Sequence, residues 1–324
     1  MYFYTNYNLF IANKGMIRIG GPVREHLSEM SLMFYVNYIS TVVEVLSAML
    51  LAFEVIAVPL FCRKAWKCSF TKCFIFYGWF GLFSWAVSFQ LLRFIGNSSV
   101  AYLSLNCLLS GFTFHGYLLS STLLTLNRFS CIVFPFTFEK IWSDRRCYLY
   151  MLIVMIITFA SVAHRIGAPI RVEWEPELNA YRWLGYYPTI HWISLAFTLI
   201  ICFCVSFGSI ALNTCTFYCW RKQTISRSIY VTQRNLFLFS ILSFIFSSSM
   251  CVQQLVANIF SFSGNQSVAN VIVELFYPLN SVSVCVEPYF LLFFNRGVRK
   301  ELISLLMRRK PKDVDATRSR SAFY

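Results

Sequence analysis

Cys107-Leu108-Leu109-Ser110-Gly111-Phe112-Thr113-Phe114-His115-Gly116-Tyr117-Leu118-Leu119-Ser120-Ser121-Thr122-Leu123-Leu124-Thr125-Leu126, followed at once by Asn127-Arg128, is the stretch that decides the fold. It carries no formal charge, and no Asp, Glu, Lys or Arg occurs anywhere between Arg93 and Arg128. A helix of about 20 apolar residues crosses a hydrocarbon core of roughly 30 Å. A soluble core helix rarely sustains so long an absence of charge. The run therefore predicts a membrane-spanning helix that ends on a basic residue.

The same criterion applied outward gives seven spans: Tyr35 to Phe61, Phe74 to Ile95, Cys107 to Leu126, Tyr148 to Ala163, Thr189 to Cys219, Leu236 to Phe262 and Val271 to Phe294. The tracts between Arg182 and Arg221 and between Arg234 and Glu274 are likewise free of charge. The fourth span is the weakest, being short and closing on His164 and Arg165. Composition agrees, since 57% of the 324 residues are hydrophobic, 19% aromatic and only 13% charged, far from the balance of a soluble domain. Alternation of period two is absent, which argues against a membrane β-barrel. The predicted fold is an all-α membrane protein, a seven-helix bundle. Its parts are an outer segment over residues 1–32, the bundle over 33–295, and a basic tail over 296–324.

Positive residues in short loops stay on the cytoplasmic side. The first, third and fifth loops and the tail hold 21 of the 28 Lys and Arg residues, so the N-terminus is expected outside and the tail inside. The two acceptor sequences for N-glycosylation, Asn97-Ser98-Ser99 and Asn265-Gln266-Ser267, fall in loops that this orientation places outside. The net charge of +14 is then a property of the inner membrane face, where anionic lipid and acidic partners attract it. No nucleic-acid motif accompanies it. Beyond the seventh span, Val298, Leu302, Leu305 and Leu306 recur at helical spacing among Arg299, Lys300, Arg308 and Arg309. That pattern predicts a short amphipathic helix on the inner leaflet, with an ordinary basic stop-transfer flank as the competing reading. Residues 1–32 lack the apolar core of a cleavable signal peptide, so the first span is expected to serve as the signal.

Leu126-Asn127-Arg128-Phe129-Ser130-Cys131-Ile132-Val133-Phe134-Pro135, continuing to Glu139-Lys140-Ile141-Trp142, resembles the end of helix three and the second inner loop of nematode serpentine chemoreceptors, class gamma. The stretch from Gly185 to Leu195, with Tyr186, Pro188, Ser194 and Leu195, is similar to that family's approach to helix five. The resemblance covers nearly the whole chain after Met33. It implies a chemosensory receptor of the plasma membrane in a sensory neuron, binding a small molecule and coupled to a heterotrimeric G protein. It implies no cofactor and no enzymatic activity.

Within that resemblance, Arg128 takes the place of the arginine that seven-helix receptors use to couple to the G protein. Asn127 stands where rhodopsin-like receptors put an acidic residue. The resting partner is therefore sought elsewhere, at Glu287 or Glu54, each about eight residues from the inner end of its span. The reading taken is that Glu287 holds Arg128 at rest; the competing one is an arginine that anchors topology in the headgroups. Many seven-helix receptors also tether helix three to the second outer loop by a disulfide. Cys107 sits at the right place, but no cysteine lies between Arg165 and Pro188, which argues against close kinship with rhodopsin-like receptors. Cys62, Cys147 and Cys219 lie next to the inner face, where acylation competes with packing.

Ligand candidates are the polar and aromatic groups of the outer halves of the spans. Arg93 and Glu274 are placed to pair or to meet a charged ligand, and His115 lies at the depth of Gln253 and Gln254, with Tyr277 and Trp192 as walls. Each has a plainer alternative as an interhelical hydrogen bond or an interfacial aromatic. Glu44 and Glu54 lie about 80° apart around the first span, so one is expected to face lipid unless protonated.

The competing classes are a transporter or ligand-gated channel and a membrane enzyme. A transporter built of two repeats shows two similar halves, and none is visible; insect-type odorant channels run in the opposite orientation. His26, His115, His164 and His191 are scattered, without acidic residues at metal-ligand spacing.

Overall fold

The computed structural model describes residues 23–89, 100–175, 180–222, 227–263, 265, 268, 272, 276–294 and 296–307. Among them are seven helices of 19 residues or more: α1 (Val23–Phe61), α2 (Ser69–Phe89), α3 (Val100–Val133), α4 (Asp144–Val162), α5 (Pro188–Lys222), α6 (Arg227–Phe262) and α7 (Phe276–Phe294). An eighth, α8 (Arg296–Leu306), follows α7. Single helical turns at Arg63–Trp66 and Phe138–Ile141 lie in the α1–α2 and α3–α4 connections.

Local chemistry explains several boundaries. Phe134 precedes Pro135, which disfavours helical backbone at Phe134, and α3 ends at Val133. Pro188 opens α5, where its missing N–H costs nothing. Helices α3 and α6 extend beyond the apolar windows read from the sequence, because a helix continues past the hydrocarbon core wherever its backbone hydrogen bonds and neighbours support it.

Five described segments are long and apolar enough to cross a membrane: Val42–Phe61, Leu103–Val133, Asp144–Arg165, Pro188–Lys222 and Phe237–Phe260. The fourth span, weakest in the sequence, is among them. The protein is a mostly helical, multi-pass membrane protein. Its polarity is distributed accordingly: Leu152, Ile156, Ile200, Phe203 and Phe207 are exposed, whereas Ser120, Ser121, Asn127, Thr158 and Ser283 are buried. Small hydroxyls between helices with large apolar groups outside is the arrangement that lipid favours. Glu54 is fully buried, while Glu44 on the same helix is half-buried.

Helix α3 lies at the centre, packed against α2, α4, α5 and α6. Gly116 permits its close approach to α2, since a Cβ there would lie 2.0 Å from the Phe80 ring. Helix α7 packs on α1, α2 and α6, and α8 packs on α7, α1 and the Arg63–Trp66 turn. The main core cluster includes Leu51, Phe74, Tyr77, Tyr117, Phe239 and Met250.

The α4–α5 connection departs from an all-helical reading. A 3-10 turn at Ala163–Arg165 leads into an antiparallel hairpin, β1 (Ile170–Glu175) and β2 (Ala180–Tyr186), paired from Ile170 with Tyr186 to Glu175 with Ala180. A bulge falls between Arg171 and Val172. Ala168, Ile170 and Tyr186 pack with Leu103 near the start of α3, so the hairpin sits on that end of the bundle.

Candidate functional site

Helix α3 is joined by side-chain hydrogen bonds to five other helices. The Tyr117 hydroxyl meets both Tyr77 of α2 and Ser283 of α7. His115 places Nδ1 2.8 Å from the Ser161 hydroxyl of α4 and Nε2 3.1 Å from the Thr198 hydroxyl of α5. Ser247 of α6 donates to Ser121 at 3.1 Å, and Ser240 to Thr125 at 3.4 Å. Asn127 Nδ2 donates to Ser69 of α2 at 2.9 Å. A movement of α3 therefore breaks or remakes contacts to α2 and α4 through α7 together.

Arg128 lies at the end of this column where the short connections of α1 to α2 and α3 to α4 converge. It is only 7% exposed, and its guanidinium carbon stands 3.5 Å from the centroid of the Phe70 ring. Its Nε has no hydrogen-bond partner among the described residues. The face of an aromatic ring attracts a desolvated guanidinium, so Phe70 offsets part of the cost of burying this charge. The Glu287 side chain lies outside the described residues, although α7 carries its backbone.

Two residues past Phe70 on α2 stands a second buried cation. Lys72, 2% exposed, donates to Asp144 at 2.6 Å and stands 5.4 Å from the Tyr148 ring and 5.9 Å from the Trp66 ring. Asp144 opens α4, so this pair fixes the end of the α3–α4 connection against α2. Phe136 of the α3–α4 connection is fully exposed and Phe134 is 46% exposed, an apolar prominence on that connection. Cys62, just past α1, is buried against Glu301 of α8. Burial, with Glu301 adding to it, pushes its thiol up to about 11.

At the opposite end, Arg165 reaches over α3. Its Nε donates to the Ser194 hydroxyl at 3.1 Å, its Nη1 approaches the Cys107 carbonyl at 3.5 Å, and its guanidinium carbon lies 5.8 Å from the Tyr186 ring centroid. Gly111 makes the space, because a Cβ there would sit 2.0 Å from Nη1. His164 shares the Ser194 hydroxyl at 2.7 Å. Burial pushes the Tyr186 hydroxyl up to about 12, with Cys107 adding to the effect and the Arg165 charge opposing it.

Residues 82–302 match the family of Srg family chemoreceptors. The chain belongs to the Srg chemoreceptor family. No curated protein matches it.

The ligand candidates of this Srg receptor are dispersed. His115 is 1% exposed and engaged at both ring nitrogens by α4 and α5. Gln253 donates its amide to the Ile272 carbonyl at 2.7 Å, and the Gln254 carbonyl accepts from Asn258. Trp192 is 54% exposed. Asn265 is exposed, and its side-chain oxygen accepts the Val268 N–H at 3.4 Å. Arg93, Asn97 and Glu274 lie outside the described residues, as does the side chain of Tyr277, whose backbone stands in the first turn of α7.

Tyr117, Arg165 and Phe70 were not singled out by sequence reasoning. The paired glycines Gly111 and Gly116 were the available signal, because a glycine within a helix marks a close approach by a neighbour. They do not say which neighbour.

Proposed function

We propose that this Srg chemoreceptor spans the plasma membrane seven times with its N-terminus outside, binds a small molecule between the outer halves of its helices, and signals to a heterotrimeric G protein. The observation that carries the reading is the burial of Arg128 at the inner end of α3, the helix whose hydrogen bonds reach α2 and α4 through α7. A ligand that shifts α3 disturbs the Arg128–Phe70 stack at the far end of the same helix. The charge bias of the inner loops supports the orientation. The lengths of α2 and α7, 21 and 19 residues, support membrane passage for both beside the five more apolar segments.

In operation, Arg128 is held at rest by Phe70 and by Glu287, and activation releases it toward the partner. Arg93, His115, Trp192, Gln253, Gln254, Glu274 and Tyr277 are the proposed ligand contacts, and Asn97 and Asn265 the proposed glycan acceptors. A sensory neuron is the proposed site of expression.

Epitope tags at both ends, labelled in live cells before permeabilisation, test the orientation, with glycosidase treatment of the wild type, Asn97→Gln and Asn265→Gln run in parallel. Labelling of the N-terminal tag alone, and loss of glycan from the variants, is the expected result. Labelling of the C-terminal tag instead would move the alternative, a seven-helix transporter or ligand-gated channel, to the front. A G-protein activation readout that an Arg128→Ala variant loses at normal surface expression completes the test.

A further inference from the structure

Tyr289, Phe290, Leu292 and Phe293 of α7 and Arg299 of α8 line a shallow, open groove of about 510 Å³ on the surface. Four of the five lining residues are aromatic or aliphatic, and the fifth is a cation on α8. Phe293 and Tyr289 present large exposed faces to it, and the Tyr289 hydroxyl lies 3.3 Å from the Ser47 hydroxyl of α1.

We infer that this groove takes one anionic phospholipid of the inner leaflet, its acyl chain along Tyr289 and Phe293 and its phosphate on Arg299. The inference rests on the proposed membrane passage of α7. The charge distribution on α8 carries it. Glu301 is the sole acidic residue in Arg296–Leu306, and it is engaged on another face, where its Oε2 accepts the Ala65 N–H at 3.4 Å. The carboxylate thus serves the first inner loop, and the groove keeps the Arg299 charge. One terminal nitrogen of Arg299 donates to the carbonyls of Leu292 and Phe293 at 3.3 and 3.4 Å, which holds the guanidinium at the end of α7. A guanidinium has five N–H donors, and those remaining fit a phosphate in the paired geometry that arginine favours. Val298 and Leu302 are buried, so α8 is fixed against the bundle and the groove has a firm wall.

The test uses the full chain in phosphatidylcholine nanodiscs doped with a photoreactive lipid bearing a diazirine on its acyl chain, either phosphatidylserine or phosphatidylcholine. Labelled peptides are mapped by mass spectrometry. The expected result is labelling of residues 289–293 by the phosphatidylserine probe at about fivefold the phosphatidylcholine level. That excess falls to the phosphatidylcholine level in Arg299→Gln and persists in Arg299→Lys and in Lys300→Gln. Equal labelling of the wild type by the two probes overturns the proposal, and this comparison stands whether or not Arg299→Gln folds. Absence of labelling by either probe overturns the membrane placement of α7, and the lipid site with it.

Discussion

The ring of Phe70 lies against the guanidinium of Arg128, 3.5 Å from carbon to ring centroid, joining the first turn of α2 to the C-terminal part of α3. A desolvated contact of this kind contributes up to about 2 kcal/mol. Phe70→Leu keeps an apolar side chain and removes the ring face, so the ratio of active to resting receptor is expected to rise roughly tenfold. Phe70→Tyr is expected to preserve the resting ratio. Basal G-protein activation at matched surface expression measures both, and an unchanged output in Phe70→Leu would remove the stack from the mechanism.

Glu287→Gln tests the other proposed restraint on Arg128. Basal output is expected to rise in this variant, and to rise further when Phe70→Leu is added, since each contact separately stabilises the same resting arginine conformer. Normal basal output with normal surface expression would exclude the pairing.

The apolar run of α3 that closes on Arg128 was legible in the sequence because its information is local. A charge-free run closed by Asn127-Arg128 gives a span and a charge without knowledge of any partner, whereas the helix itself runs on to Val133. The hairpin was not legible, since the pairing of Ile170 with Tyr186 depends on how far the chain between them turns back, and its apolar face depends on Leu103 of α3. Matching residues by depth leaves the neighbours of His115 open for a geometric reason. Counting residues along a helix gives height, but successive side chains are turned about 100° around the axis. His115 and Gln253 were matched in height, yet His115 meets Ser161 and Thr198 while Gln253 meets Ile272. Arg165 escaped notice as a tether because nothing in its own neighbourhood of the chain announces Gly111 as its seat.

Gly111→Ala is expected to expel Arg165 from α3, because the added methyl would lie 2.0 Å from Nη1. Nη1 is the far end of a flexible side chain, so the cost is the loss of the contacts Arg165 makes rather than strain in the core. The contact with Ser194 is among them, so the thermal midpoint and surface expression should both fall. In an Arg165→Ala background the same alanine should cost much less, since the atom it strikes is gone. Equal losses in the two backgrounds would mean that Arg165 does not occupy this space.

Lys72 and Asp144 are unequal partners, one 2% and the other 75% exposed. Asp144→Asn leaves a buried ammonium facing only the Tyr148 and Trp66 rings and a neutral amide, whereas Lys72→Met removes the charge and keeps the aliphatic stem. Stranding a buried charge is the costlier change. The thermal midpoint of the detergent-solubilised receptor is expected to drop further for Asp144→Asn than for Lys72→Met. The reverse order would show that solvent at the inner face screens Lys72 despite its burial.

Cys62 offers a chemical reading of whether α8 is docked. With its thiol pushed up to about 11, first by burial and then by Glu301, the residue stays protonated through the neutral range. Only the thiolate reacts readily with alkylating reagents. Alkylation of Cys62 in the folded receptor should therefore be slow at neutral pH and accelerate as pH rises toward 11. Glu301→Gln removes the carboxylate that opposes thiolate formation, and the rate profile is expected to move to lower pH while burial keeps it above that of an exposed cysteine. The same shift acts on stability. An unfolded Cys62 releases its proton near the ordinary thiol value of 9.0 and the folded one near 11, so between these values the unfolded chain binds fewer protons and the folded state loses stability as pH rises. A pH profile that Glu301→Gln leaves in place would mean that α8 is not docked against Cys62.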